Sequence, residues 1–295
     1  MCKEYFYVSV REYDPSKEYT VVRPASLNKP KNNAIMFILE NYMDRADVFN
    51  TVERCLIFWP KGVKIPDTLK KKHAIVECTN PHLEYCRFFC NHNITYLPVK
   101  EAVDCVNGAF ISPKAKIGEN VVIMPGAYIG GECIIGDGSY IGCGAKLVGE
   151  VLVGKNVVIR ENAVVGADGL TTDRDTDGSA VTMPQFGNVV LEDNVQIGAN
   201  AVIARGAIDE TRICRGAKID NACFISHNVT VGENAFIVGE SIMFGSSSIG
   251  RNSMISGNAT VRNGVHIGNY ALVGMGSVVT KPVPDYSVVK GNPAK

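Results

Sequence analysis

Residues 213–231 read ICRGAKIDNACFISHNVTV, and every sixth residue of that stretch is aliphatic: Ile213, Ile219, Ile225, Val231. Forward, the series continues through Ile237, Met243, Ile249, Ile255, Val261, Ile267, Val273 and Val279. Backward, a second series runs Ile111, Ile117, Ile123, Ile129, Ile135, Ile141, Leu147, Val153, Ile159, Val165, and Leu191, Ile197 and Ile203 keep the step between the two. Such a run of 25 positions is beyond chance, and a fixed period is the mark of a repeat architecture. Glycine often follows the aliphatic residue, as at Gly118, Gly136, Gly154, Gly198, Gly232, Gly250 and Gly268.

Six residues make one short strand and one turn. The spacing predicts a chain that bends at each glycine, where backbone freedom is cheap, and points one aliphatic residue inward per repeat. Coils stacked at the usual ~4.8 Å between strands would bury these residues as ladders. The fold class is therefore mainly β, a parallel β-helix of hexapeptide repeats over residues 101–295. Two interruptions break the period: a loop at 166–190, containing Asp173, Asp175 and Asp177, and four extra residues between Ile203 and Ile213. Solenoid insertions gather on one face, often the binding face. The Asp run reads as a solvated loop in preference to a loose calcium site, because it lacks the EF-hand spacing.

Residues 1–100 differ. Apolar runs at Tyr5–Val10, Ala34–Leu39, Cys55–Trp59 and Ala74–Cys78 read as strands, and Asn80-Pro81 as a helix start. That predicts a small N-terminal α/β domain, joined to the repeats by Leu97-Pro98 through Gly108. His82, Cys86 and Cys90 would share a helical face, with His92 beyond. With no second Cys/His pair at finger-like spacing, a buried helix using Cys as a small hydrophobe is preferred to a metal site. Thirty Lys+Arg balance thirty Asp+Glu, which gives no reason to expect a nucleic-acid partner. No apolar run reaches the roughly 20 residues of a membrane span, and Met1–Arg11 lacks the order of a secretory signal. A cytoplasmic protein with reduced cysteines is expected.

Only two of five histidines, His227 and His266, lie in the repeats. His227 follows the inward Ile225 by two residues and should point outward, among Ser226, Asn228, Asp220 and Asn221. Eighteen residues on lies Gly245, three hexapeptides later. Imidazole suits general-base work near neutral pH. A bare glycine beside it would offer an N–H to an oxyanion, so the pair suits acyl transfer. With no Ser or Cys placed beside a base, direct attack on a thioester is favoured over a covalent enzyme intermediate.

These motifs carry a resemblance. Ile219-Asp220-Asn221 through Ile225-Ser226-His227-Asn228-Val229, Gly166-Ala167-Asp168-Gly169, Pro184-Gln185-Phe186-Gly187, Arg205-Gly206-Ala207 and Ile242-Met243-Phe244-Gly245-Ser246 resemble the UDP-3-O-acyl-glucosamine N-acyltransferases of the lipid A pathway. The resemblance covers most of residues 100–285. It implies a left-handed helix with three hexapeptides per coil, about eight coils in all, and a homotrimer with sites between neighbouring helices. It implies His227 as general base for a sugar amine, Asp220 assisting, and Gly245 as oxyanion donor. Asp168, Gly169, Gln185, Asn221, Asn228 and His266 would bind substrate. Phe37 and Tyr42 would meet the uracil of a UDP-sugar in the N-terminal domain. No cofactor is implied; the co-substrate would be an acyl-phosphopantetheine, on acyl carrier protein or coenzyme A.

Three departures stand out. The family's IDRGA is Ile203-Ala204-Arg205-Gly206-Ala207, GADGF ends at Leu170, and the second active-site histidine falls on Gly264. Gly291-Asn292-Pro293-Ala294-Lys295 resembles acetyl-CoA-dependent sugar acetyltransferases, which keeps that donor open. A non-catalytic sugar-binding scaffold is the reading from another class. A zinc enzyme on the same helix would need three converging histidines.

Overall fold

In the computed structural model, residues 3–95 and 101–295 are described. The chain divides into two compact units, residues 1–97 with 170–186, and residues 98–169 with 187–295.

The first unit holds a four-stranded parallel sheet in the order Arg23–Pro24, Ala34–Phe37, Leu56–Pro60, Ala74–Cys78. Leu56–Pro60 is buried at all five positions, as a parallel strand covered on both faces must be. Helix α1 spans Asp67–Lys72 and helix α2 Pro81–Asn91. The Asn80 side chain accepts the Leu83 N–H and Pro81 opens the first turn of α2, so the sequence signal for this helix holds. α2 buries Leu83, Tyr85, Cys86, Phe88 and Phe89, each large side chain contributing roughly 1.5–3 kcal/mol against exposure.

Of the Asp run, Asp177 lies in an exposed turn as expected, while Asp173 and Asp175 are tied down. Thr172–Arg174 and Ala180–Thr182 pair as an antiparallel hairpin within the first unit. Asp173 Oδ2 meets His82 Nδ1 at 2.8 Å, and Asp175 pairs with Arg87. Two carboxylates are thus tied to α2, one by an imidazole and one by a guanidinium. The hairpin therefore belongs to the first unit, not to the β-helix region as its position in sequence suggested.

The second unit is a three-faced prism. Face A includes Ala109–Ile111, Tyr128–Ile129, Val164–Ala167, Phe224–Ile225 and Ile242–Met243; face B includes Val122–Ile123 and Lys218–Ile219; face C includes Lys116–Ile117 and Thr230–Val231. Partners lie 18 residues apart, as in Ile123↔Ile141 and Ile225↔Met243. The two interruptions stretch single steps, Ile159↔Ile197 and Ile197↔Ile219, without shifting the inward register. Face B has nine strands, so the stack is one coil longer than expected. The extra coil comes from Val283 and Val288–Val289, which fall off the six-residue step but still pair with Ile267 and Leu272–Val273.

Two expectations need correcting. The glycines that follow the aliphatic residues do not provide the bend. The left-handed residue comes two positions later and is often asparagine, as at Asn120, Asn156, Asn200, Asn228 and Asn234, with φ between 53° and 56° at four of these and 59° at Asn228. Asparagine tolerates that region. The glycines instead admit the next coil: a Cβ on Gly136 would stand 2.5 Å from the Gly154 carbonyl oxygen. There is also a second inward row. It lies two residues before each aliphatic one and holds small residues such as Ala127, Ala145, Ala201, Cys223 and Ala235, all buried. Serines in this row place their hydroxyls on backbone carbonyls, for example Ser253 Oγ on Gly268 O at 2.7 Å. The described part of the expected linker is itself structured. Asp104–Val106 pairs antiparallel with Ala109–Ile111 across Asn107-Gly108, both at positive φ, the turn that hairpins favour.

Candidate active site

His227 stands on the corner between faces A and C, directly after Phe224–Ile225. Ile225 is buried, so the chain must turn outward at the next residues, and His227 is half-buried. Asn228 takes φ 59° and its N–H donates to Thr211 Oγ1 at 2.9 Å. Its Oδ1 accepts from the Ala207 N–H at 3.0 Å and lies 3.1 Å from His227 Nδ1.

One coil on, the same corner carries Gly245. The Ser246 N–H donates to the His227 carbonyl at 2.9 Å. A Cβ on Gly245 would stand 2.5 Å from both Cε1 and Nε2 of His227, so the imidazole lies over a residue that must lack a side chain. The Gly245 carbonyl is occupied, by the Gly264 N–H at 3.0 Å and Asn263 Nδ2 at 2.8 Å. The Gly245 N–H has no acceptor among the described residues. Gly169 also borders the side chain: a Cβ there would stand 3.0 Å from His227 Cβ and 3.1 Å from Cδ2. Two glycines therefore leave bare backbone beside His227.

Asp168 precedes Gly169 and is exposed. Partial desolvation raises its carboxyl pKa, and the Arg205 guanidinium opposes that rise. Arg205, which the sequence marks only as part of Arg205-Gly206-Ala207, stands beside this site. It is only 3% exposed. Its N–H donates to Ala167 O at 2.9 Å and its Nε to Gly187 O at 2.7 Å, so it fastens both roots of the 170–186 insertion. A guanidinium at an interruption of the period was the available signal.

Other expected residues lie elsewhere. Asp220 follows a face B strand and so occupies a different corner from His227. Its Oδ2 accepts from the Gly239 N–H at 3.1 Å and Oδ1 from the Asn221 N–H at 2.8 Å. Asn221 Oδ1 likewise accepts from the Ala199 N–H at 2.7 Å. Both staple turns, and within one chain Asp220 is not brought to the His227 corner. His266 projects from face C, with Nδ1 2.8 Å from Ser248 Oγ. Gln185 belongs to the first unit and is 1% exposed, with neither amide atom hydrogen-bonded among the described residues; no solvent-facing surface carries it. Phe37 packs its ring 4.8 Å from Tyr85 and 5.3 Å from His82. Tyr42 is 45% exposed.

In the His/Cys cluster Cys86 is buried on α2, as the small-hydrophobe reading expects, although it also stands beside a base. Cys86 Sγ lies 3.9 Å from His82 Nε2, whose Nδ1 meets Asp173. Yet Cys86 is fully buried, and desolvation pushes its thiol up to about 12. It is therefore a neutral thiol closed to substrate. His92 Nε2 meets Tyr13 Oη at 2.9 Å. Among the described residues no group of three His, Cys, Asp or Glu is placed to hold a metal ion.

The bacterial transferase hexapeptide profile (six repeats) matches residues 114–149, 133–167 and 246–281, and the hexapeptide repeat of succinyl-transferase matches 188–226. These stretches of the prism match hexapeptide repeats described from transferases. Among curated proteins, these repeats are similar to the UDP-3-O-acylglucosamine N-acyltransferase of Wolinella succinogenes, 33% identical over 141 residues, which is 48% of this chain and 44% of that one. The Coxiella burnetii enzyme of the same name is 38% identical over 140 residues, 46% of this chain and 41% of that one. A Francisella tularensis relative is 49% identical over 79 residues, 27% and 23% of the two chains. The chain thus spans less than half the length of the curated relatives it matches. Among solved structures, a UDP-N-acetylglucosamine acyltransferase from Bacteroides fragilis superposes with a TM-score of 0.58 at 26% identity, covering 64% of this chain and 72% of that one. One from Campylobacter jejuni gives 0.57 at 23%, with the same coverage of each chain. The hexapeptide prism is a left-handed parallel β-helix, as the resemblance implied.

Proposed function

We infer that this protein is an acyltransferase. It moves an acyl group from a phosphopantetheine thioester to the amine of a UDP-linked amino sugar. The observation that carries the reading is the stacking of the His227 imidazole over Gly245 at one corner, with the Gly245 N–H unclaimed among the described residues. The curated names of the relatives supply the substrate class.

The geometry suits a direct transfer. The sugar nitrogen attacks the thioester carbonyl carbon while Nε2 of His227 takes the proton that nitrogen must lose. Negative charge moves to the carbonyl oxygen, where the Gly245 N–H is a pre-placed donor. Collapse breaks the C–S bond, and the imidazolium returns its proton to the departing sulfur. The products are an amide and a free thiol, and no covalent enzyme intermediate is needed.

Asp168 and Gly169 line the approach to the imidazole, and Asn228 and His227 stay paired behind it. Phe37 and Tyr42 are assigned to the uracil. Face A presents a mostly apolar outward row, Val164, Val202, Phe224, Ile242 and, past Thr260, Val278, which supports a homotrimer that closes the exposed corner with a second copy. Among the described residues no helix is long and apolar enough to cross a membrane, and the described cysteines are free. Both fit a reaction in the cytoplasm within lipid A assembly.

The test is to supply UDP-linked amino sugar with either an acyl carrier protein thioester or an acyl-CoA and to measure released thiol and N-acylated sugar together. Equimolar amide and thiol from one donor supports the reading. Thiol release unaffected by the sugar contradicts it.

A further inference from the structure

We propose that Asn228 is a positioning residue that fixes the tautomer of His227, so that Nδ1 carries the proton and Nε2 presents its lone pair toward Gly245. This rests on His227 being the base of the reaction proposed above.

A neutral imidazole has one N–H and one bare nitrogen, and only the bare one accepts a proton. Cε1 and Nε2 are the ring atoms over Gly245, and only Nε2 of the two can take a proton, so the proton must be kept on Nδ1. The usual device is a carboxylate behind the ring. Asp220 occupies another corner, and the atom behind Nδ1 is Asn228 Oδ1 at 3.1 Å.

An amide side chain is ambiguous by itself, since oxygen and nitrogen are easily exchanged. Here the backbone removes the ambiguity. The Ala207 N–H, a donor only, points at the same atom from 3.0 Å. Placed the other way, the Asn228 amide would set its NH₂ against that N–H, two donors facing each other in a buried turn. With Oδ1 fixed toward Ala207, His227 Nδ1 must be the donor to it. Asn228 itself is held by its own N–H on Thr211 Oγ1 at 2.9 Å. Ala207 lies within, and Thr211 directly after, the stretch Arg205 through Glu210 that the four-residue interruption sets off the regular coil. The bulge thus has a chemical consequence: it brings the one backbone N–H that orients the amide that orients the base.

Left-handed backbone at this repeat position does not itself demand asparagine. Ala222 takes φ 56° and Ser246 φ 58° at equivalent turns, so Asn228→Ala is compatible with the coil. Asn228→Asp keeps an oxygen acceptor for both Ala207 and His227.

The experiment labels histidine with ¹⁵N in the wild-type chain, N228A and N228D. It reads the His227 tautomer from imidazole nitrogen shifts above the titration of the ring, assigned by difference from H227A. Turnover is measured alongside, in the pH-independent region. The wild type and N228D should show protonated Nδ1 and bare Nε2. N228A should show a mixture of tautomers. kcat should fall roughly tenfold or more in N228A, as expected for the loss of one orienting hydrogen bond, with little change in KM, and should recover to within a few-fold in N228D. A wild-type tautomer and kcat in N228A, or equal losses in N228A and N228D, would overturn the proposal. Full turnover in H227A would instead sink the base assignment, and the nitrogen spectra would still decide what Asn228 does to the ring.

Discussion

A methyl group placed on Gly245 would stand 2.5 Å from two imidazole atoms, well inside van der Waals contact. Gly245→Ala must therefore push the His227 ring off its position. Misplacing a reacting group by about 1 Å costs on the order of 10²-fold, so kcat of this variant should fall by about that factor while its circular dichroism spectrum stays unchanged. Wild-type kcat in Gly245→Ala would show that the ring does not act from this place. The pair was legible in the sequence because 18 residues make one coil. The same arithmetic separates Asp220 from His227 within one chain: seven residues are one face and a turn, which puts them on different corners. Arg205 and the Asn228 amide were not legible as working groups, because their partners Ala167, Gly187 and Ala207 are backbone atoms beside interruptions of the period.

At the scale of elements, the ladders were readable and the turns were not. An aliphatic row repeats a strong signal every six residues. The inner small row and the left-handed Asn positions repeat only as types that also occur on any surface. Ile225 is fully buried beneath the His227 corner, and Ile225→Ala should cost about 2–5 kcal/mol by loss of transfer free energy and by the cavity left. Urea unfolding would measure it; a change within error would mean that the coil collapses around the gap. The hairpin of residues 172–182 escaped the sequence reading because nothing periodic marks it. Its Asp175 carboxyl is held down to about 2, first by its hydrogen bond to Arg87. A carboxyl whose folded pKa lies below the ordinary ~3.9 adds stability above that value and loses it as the pH falls toward the folded pKa. Unfolding midpoints followed from pH 5 down to pH 2 should therefore drop less steeply in Asp175→Asn than in the wild type. Parallel curves would show that this pair does not contribute.

At the scale of the whole molecule, the prism is an array in which each coil touches its neighbours along the axis, so its stability is nearly a sum of coil terms and interfaces. One face of such an array can be left mostly apolar only if something covers it, and the outward row of face A carries Val164, Val202, Phe224, Ile242 and, past Thr260, Val278. Light scattering of the purified chain should give three times the mass of 31.9 kDa, and Phe224→Glu should dissociate the assembly and lower turnover together. A fully active monomer would exclude a shared site.

The most direct measurement is turnover of His227→Ala against wild type, with UDP-linked amino sugar and the acyl donor that the wild type accepts. Removing a general base from this corner should lower kcat by about 10²–10⁴-fold, with assembly and KM for the sugar nearly unchanged. Turnover equal to that of the wild type would contradict the account.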